Sequence, residues 1–228
     1  MSTSSAAERL DNETEGLYPD LAAHLIESPI GTVLKHPLVF QVPYFSASMA
    51  NMVFEQKRVQ LKESMNAWDW HRAIVLYERP YRANALEMLW YSGAMSRTSF
   101  WECARFVWMD SENIWQRKSF WKKVFRKIAD EHGTVAQNYF MEDSERSWIE
   151  ALDTYVTLYR GYQDGLNRAG LSWTTDYATA KRFGERFETA DHPAGVVDRR
   201  VHKSHIFAGL LGRGEYEVIL PIFAEESF

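Results

Sequence analysis

The sequence predicts an α+β protein, with a helical N-terminal region followed by a C-terminal part that mixes strands and helices. Two observations predict this class. Between Ser46 and Arg146 the chain holds one proline, Pro80, and its aromatic and aliphatic residues recur at helical spacing. Beyond residue 150 the pattern changes to short runs of β-branched and aromatic residues. With 46% apolar residues among 228, the chain has enough material for a real core.

Residues 1–16 are polar and acidic and read as a flexible tail. From 17 to 43, Pro19, Pro29, Pro37 and Pro43 cut the chain into short pieces. Ser46 or Ser48 is expected to cap a long helix reaching Glu78, where Arg79-Pro80 breaks it. Further helices are expected at 81–92, 97–109 and 111–131, with Asp110 or Ser111 capping the last and Gly133 following its end. Residues 17–148 thus make the helical region and residues 149–228 the second domain. In that domain Thr154–Arg160 and Leu171–Thr175 read as strands. Asp176–Phe187 reads as a helix capped by Thr175 or Asp176, and Val196–His202 and Glu215–Phe223 read as later strands. Ala208–Gly214, with three glycines, reads as a mobile loop.

A net charge of −5 and a pI near 5.8 argue against nucleic-acid binding through an overall positive field, though not against a local basic patch. The single cysteine, Cys103, fits a reducing compartment. The first fifteen residues lack a signal-peptide apolar core, and no run approaches the ~18 apolar residues of a membrane span. A cytoplasmic protein with no membrane association is expected.

Three short motifs carry chemistry: Tyr159-Arg160-Gly161, Ser172-Trp173-Thr174 and Glu215-Tyr216-Glu217. A guanidinium fork such as that of Arg160 suits a diphosphate, and Gly161 lets a ligand approach the backbone closely. The Ser172 hydroxyl can orient a carboxylate. Glu215 and Glu217, two apart on a strand, share one face at a spacing of roughly 6.6–7 Å. Each motif alone also reads blandly: a surface arginine at a strand end, plain β propensity, a solvated edge strand.

Taken in order, the three motifs resemble the arginine, serine and glutamate signatures of mono-ADP-ribosyltransferases of the arginine–serine–glutamate, cholera-toxin-like class. The resemblance covers residues 154–223, and the helix behind the serine motif carries Ala180 and Phe183, as this family often does. It implies an ADP-ribosyltransferase-like split β-sheet domain, NAD as the substrate that supplies ADP-ribose, and a macromolecular acceptor. The pyridinium leaving group is already cationic, so departure needs no general acid, unlike ordinary glycoside cleavage. A carboxylate facing the nascent ribose cation is the main requirement.

On the matched positions, Glu217 would bind the nicotinamide-ribose hydroxyl and stabilise the oxocarbenium ion, and Glu215 would orient or deprotonate the acceptor. Arg160 would grip the NAD phosphates and Gly161 the nicotinamide carboxamide, with Ser172 and Thr174 bracing the site and Phe183 completing the cofactor-binding set. Thr174 stands where the family commonly has serine, and it keeps the hydroxyl. A glutamate at position 215 is similar to members that modify arginine side chains, which favours a protein arginine as acceptor. By analogy with the family, such a chain serves as a bacterial or phage toxin or effector, of a toxin–antitoxin or phage-defence system, with an antitoxin or chaperone as a further partner.

Two alternatives stay open. Residues 114–127 hold six basic residues and no acid, interleaved with Trp115, Phe120, Trp121 and Phe125. Arg117, Lys118, Lys122, Lys123 and Arg126 could hold a nucleic-acid acceptor while the rings stack on bases. The same pattern fits an amphipathic helix with an aromatic core face. The other alternative is a non-catalytic helical interaction module with a decayed transferase domain. Trp101, Trp108 and Trp115, seven apart, read as a core stripe. The Arg79–Arg82 turn could buttress the NAD cleft or bind a partner, and the Asp110–Asn113 run reads as a helix start. The histidines do not form a ligand set, no metal site is expected, and no glycine-rich phosphate loop is present.

Overall fold

A computed structural model describes residues 16–111 and 114–221, the side chains of Trp115 and Arg213 excepted. The expected tail, residues 1–16, lies outside the described residues except for Gly16, as do Ile222 and Phe223 of the expected last strand. The chain divides into two compact units: Met1–Met95 with Met109–Glu112, and Ser96–Trp108 with Asn113–Phe228. Both helices and sheet are present, which makes the fold α+β. Among the described residues no helix is long and apolar enough to cross a membrane.

The first unit corrects the expectation of a purely helical region. After the short helix α1 (Pro19–Ala22) come three antiparallel strands, β1 (Leu25–Ser28), β2 (Gly31–His36) and β3 (Val39–Gln41), in the order β1-β2-β3. The prolines do not fragment this stretch. Pro29 and Pro37 fall in the two turns between strands, where a missing N–H disturbs no ladder, and Pro19 starts α1. Gly31 supplies the φ of 104° that the first turn needs. Leu34, Leu38 and Val39 pack with Leu17, Leu21, Tyr44, Ala50 and Phe54 in one apolar cluster.

Ser46 caps α2 (Ala47–Asn66) by accepting the Met49 amide at 3.3 Å. The helix stops at Asn66 instead of running to Glu78. Trp68 adopts a left-handed φ of 58°, and Asp69 caps a new helix, α3 (Trp70–Val75), by accepting the Arg72 amide at 3.0 Å. A 3-10 turn, Arg79–Tyr81, leads into α4 (Arg82–Tyr91). Asp110 does not cap a helix start. It ends α5 (Arg97–Asp110) and takes ion pairs from Arg82 at 2.6 Å and Arg79 at 3.3 Å. The Arg79–Arg82 turn is thus tied within its own unit.

In the second unit the helix expected over 111–131 starts later, at Lys118, and runs to His132 through a π-helical turn. A 3-10 segment, Ile114–Arg117, precedes α6 (Lys118–Lys123), then a π-helical turn, Val124–Ile128, then α7 (Ala129–His132). Gly133, at φ 56°, follows the end as expected. Helices α8 (Thr134–Phe140) and α9 (Asp143–Ala151) complete the helical layer. Trp115 lies beyond α5, so the seven-residue stripe ends at Trp108.

The sheet strands are β4 (Tyr155–Gln163), β5 (Ser172–Thr174), β6 (Ala194–His202), β7 (Ala208–Leu210) and β8 (Glu217–Ile219), with α10 (Tyr177–Glu185) between β5 and β6. They form one antiparallel sheet in the order β6-β4-β5-β8-β7, so the split expected from the resemblance is not seen among the described residues. Asp176 caps α10, accepting from the Ala178 and Thr179 amides. The glycine-rich Ala208–Gly214 stretch is only partly loop: Ala208–Leu210 is a buried strand paired with β8. Gly209 serves close packing there, since a Cβ would meet Trp148 at 2.5 Å and Ile149 at 2.6 Å.

One buried ion pair braces this unit. Glu145, 2% exposed, accepts from Arg105 at 2.6 Å, from the Glu142 amide at 2.8 Å and from the Leu211 amide at 3.0 Å. Burial pushes its carboxyl upward, but the Arg105 bond, the two amides and the Arg105 charge outweigh it and hold the pKa below the usual range. Glu145→Ala is expected to destabilise this unit by about 1–3 kcal/mol: the Glu142 and Leu211 amides lose their acceptor, while Arg105 keeps the Glu142 carboxylate at 2.9 Å and the Phe140 carbonyl. Urea unfolding checks it.

A second prediction concerns the first unit. The His36 ring packs edge-on against His24 at 4.8 Å and Phe54 at 4.9 Å, and its Nδ1 accepts the Leu38 amide at 3.1 Å. Burial chiefly, with the His24 charge adding to it and Asp20 opposing, lowers its pKa to about 4. The unfolded chain binds this proton more readily, so the stability is fully present above pH ~6.5 and fades as pH falls toward the folded pKa. His36→Asn keeps an acceptor for Leu38, and its melting temperature should fall less between neutral pH and that range than the wild type's.

Candidate active site

Three strands that neighbour one another in the sheet bring the sequence motifs together: β4 carries Arg160, β5 carries Ser172 and Thr174, and β8 begins at Glu217. The register sets Tyr159 against Thr174, Thr174 against Glu217, and Ser172 against Ile219. Trp173 and Val218 point into the sheet core with Val156 and Leu158, which fixes the pleat of all three strands: Arg160 starts from that same face, and Ser172, Thr174 and Glu217 from the opposite one.

Arg160 is half-buried and gives Nε and NH2 to the Asn167 carbonyl at 3.2 and 2.9 Å, and NH1 to the Ser172 carbonyl at 2.5 Å. A guanidinium has five N–H donors. Three are used on the main chain, and the other two have no partner among the described residues. Burial lowers its pKa to about 10, and the Glu217 carboxylate acts in the opposite direction. It therefore stays charged at neutral pH, within electrostatic reach of Glu217. Gly170 makes room for it, since a Cβ there would lie 2.0 Å from NH2.

Glu217 is half-buried, and its Oε1 accepts the indole N–H of Trp108 at 3.1 Å. Trp108, on α5, is 2% exposed and meets Trp121 and Phe125 edge-on, each at 5.1 Å. The motif reading did not include Trp108. The seven-residue tryptophan spacing marked it as core, and only the packing of α5 beside the sheet brings its N–H to the carboxylate. Asn167 is a second residue the motifs did not reveal: its carbonyl holds Arg160, while its side chain bonds Gln163.

The glutamate pair does not have the expected geometry. Glu215 is not on the strand. It follows the 3-10 turn Gly212–Gly214 with helical dihedrals, and Tyr216 adopts a left-handed φ of 47° before β8 begins at Glu217. The two-residue periodicity of a strand therefore does not relate the two carboxylates. Thr174 pins the kink: its hydroxyl donates to the Glu215 carbonyl at 2.8 Å and accepts the Asp176 amide at 3.1 Å. It braces backbone and not a carboxylate. The Ser172 hydroxyl makes no hydrogen bond among the described residues, while its carbonyl holds Arg160.

The space at Gly161 is filled by α10, because a Cβ would lie 1.9 Å from the Ala180 carbonyl oxygen and 2.4 Å from the Gly184 nitrogen. Its lack of a side chain serves helix–sheet packing. Phe183, on α10, is 38% exposed with Arg182 over its ring, and its carbonyl accepts from Gln163.

The basic segment is also reassigned. Phe120, Trp121 and Phe125 are buried, with Phe125 against Trp101, Phe140 and Phe207 and Trp121 against Trp108 and Phe125, so these rings cannot stack on bases. Arg117, Lys118, Lys122 and Arg126 are half-buried and Lys123 is exposed, with Arg126 donating from Nε to the Pro221 carbonyl at 3.0 Å. An open groove of about 610 Å³ runs past Phe125, Arg126, Gln137, His205, Phe207 and Pro221, and neither Arg160, Ser172 nor Glu217 lines it. Among the described residues no group of three His, Cys, Asp or Glu could hold a metal.

Comparison with family models, with curated proteins and with solved structures finds no match for this chain. Thr174→Val removes the hydroxyl that holds the Glu215 carbonyl and the Asp176 amide at almost unchanged volume. A loss of about 1–2 kcal/mol in unfolding free energy is expected, with faster amide hydrogen exchange at Asp176.

Proposed function

We propose that the chain is a mono-ADP-ribosyltransferase that cleaves NAD at the nicotinamide–ribose bond and passes ADP-ribose to an arginine side chain of a protein. The observation that carries this reading is that Arg160, Ser172 and Glu217 lie on three successive hydrogen-bonded strands, with the Glu217 carboxylate held by Trp108 and acting electrostatically on the Arg160 guanidinium.

The chemistry follows from those groups. The C–N bond of the pyridinium breaks with its electron pair going to nitrogen, and neutral nicotinamide leaves. The cation left on the ribose faces Glu217, whose negative charge acts strongly beside the buried rings of Trp108 and Trp121. The two N–H groups of Arg160 not used by the fold suit the NAD diphosphate. An acceptor guanidinium nitrogen then attacks the ribose carbon and gives up a proton, and Glu215 is the base proposed to receive it. Glu215 does so from a turn beside the strand. The nucleic-acid alternative loses its main support, because the rings it needs are buried.

Nicotinamide release from NAD tests the reading directly. Glu217→Gln, nearly isosteric, is expected to reduce release by at least about 100-fold while leaving the melting temperature within a few degrees. Glu215→Gln is expected to keep slow NAD hydrolysis and lose transfer to an arginine acceptor. A folded wild-type chain that releases no nicotinamide sinks the assignment.

A further inference from the structure

We propose that Trp108 is a positioning residue for Glu217, its indole N–H holding Oε1 so that the carboxylate presents one fixed orientation to the ribose of NAD. The inference rests on the transferase reading and adds a residue from the helical layer, far outside the three sequence motifs.

Three observations carry it. The bond is short enough to matter, at 3.1 Å between Nε1 and Oε1, and a donor to a charged acceptor is stronger than a neutral pair. The indole plane cannot swing: Trp108 is 2% exposed and is met by Trp121 at 90° and Phe125 at 80°, with centroids 5.1 Å away in both cases. Glu217 itself begins a three-residue strand directly after the left-handed Tyr216, so the strand alone gives its side chain little support. The donor on α5 adds a hold on one oxygen of the carboxylate. Holding a reacting group to within about 0.5 Å is what rigid neighbours contribute to catalysis.

The Ser172 hydroxyl, the motif's own candidate for this task, makes no hydrogen bond among the described residues. Thr174 bonds backbone. The indole of Trp108, by contrast, reaches the Glu217 carboxylate directly.

The test uses the full chain. Trp108→Phe retains an aromatic ring and removes the N–H. It should lower kcat for nicotinamide release by about 10- to 100-fold, with KM for NAD changing less than about twofold. Trp101→Phe is the matched control, since it also loses a buried indole hydrogen bond, to His132 at 2.9 Å, away from Glu217. Its stability should fall comparably while kcat stays at the wild-type value. A spectroscopic readout does not depend on turnover. In the heteronuclear NMR spectrum, the indole N–H resonance that vanishes in Trp108→Phe should shift in Glu217→Gln, and the other indole resonances should not.

An unshifted resonance, or a Trp108→Phe enzyme with wild-type kcat, overturns the positioning role and leaves the transferase reading intact. A wild-type chain without NAD cleavage overturns the transferase reading and the catalytic role of Trp108 with it.

Discussion

The carboxylate of Glu145 sits inside the second unit, where an ionised group without partners would be ruinous to stability. It is tolerable because Arg105 and the amides of Glu142 and Leu211 converge on its two oxygens. Those partners come from α5, from the start of α9 and from the end of β7. One side chain thus ties together three segments far apart in sequence. Leu211 is the residue from which the chain turns through Gly212–Gly214 toward Glu215 and β8. The place where the Glu217 strand begins is therefore set by an ion pair buried in the helical layer.

The same helix reaches the candidate site a second time. Arg105 and Trp108 lie three residues apart on α5, close to one face of that helix. Arg105 grips Glu145, and Trp108 meets Glu217. Around them the rings of Trp101, Trp121, Phe125, Phe140 and Phe207 exclude water from one side. In such surroundings a carboxylate and a guanidinium influence each other more than they would in solvent, which is why Glu217 is felt at Arg160. Helical layer and sheet of the second unit are two halves of one electrostatic arrangement.

Several elements were legible in the residues because their signals are local. Asp176 caps α10, Ser46 caps α2, and Gly133 follows α7, each through geometry set within four residues. The strands carrying Arg160 and Ser172 were legible from β-branched and aromatic runs. Other elements were misread for equally physical reasons. Prolines in 17–43 suggested fragmentation, yet Pro29 and Pro37 occupy turns between strands and Pro19 starts α1. The glycines of 208–214 suggested mobility, yet Gly209 is small so that Trp148 can lie against it. Spacing alone placed Glu215 and Glu217 on one strand face, an inference that a left-handed Tyr216 cancels.

The sequence by itself determined the α+β class, the caps of α2 and α10, the strands of the arginine and serine motifs and the resemblance from which a chemistry could be proposed. These depend on dihedral preferences and hydrogen bonds that span a few residues. Tertiary structure alone decided that Arg160 would bond the Ser172 and Asn167 carbonyls, that Trp108 would meet Glu217, and that the rings of 120–125 would turn inward. Those outcomes depend on which surfaces pack together, and burial against distant partners outweighs any local preference a side chain carries.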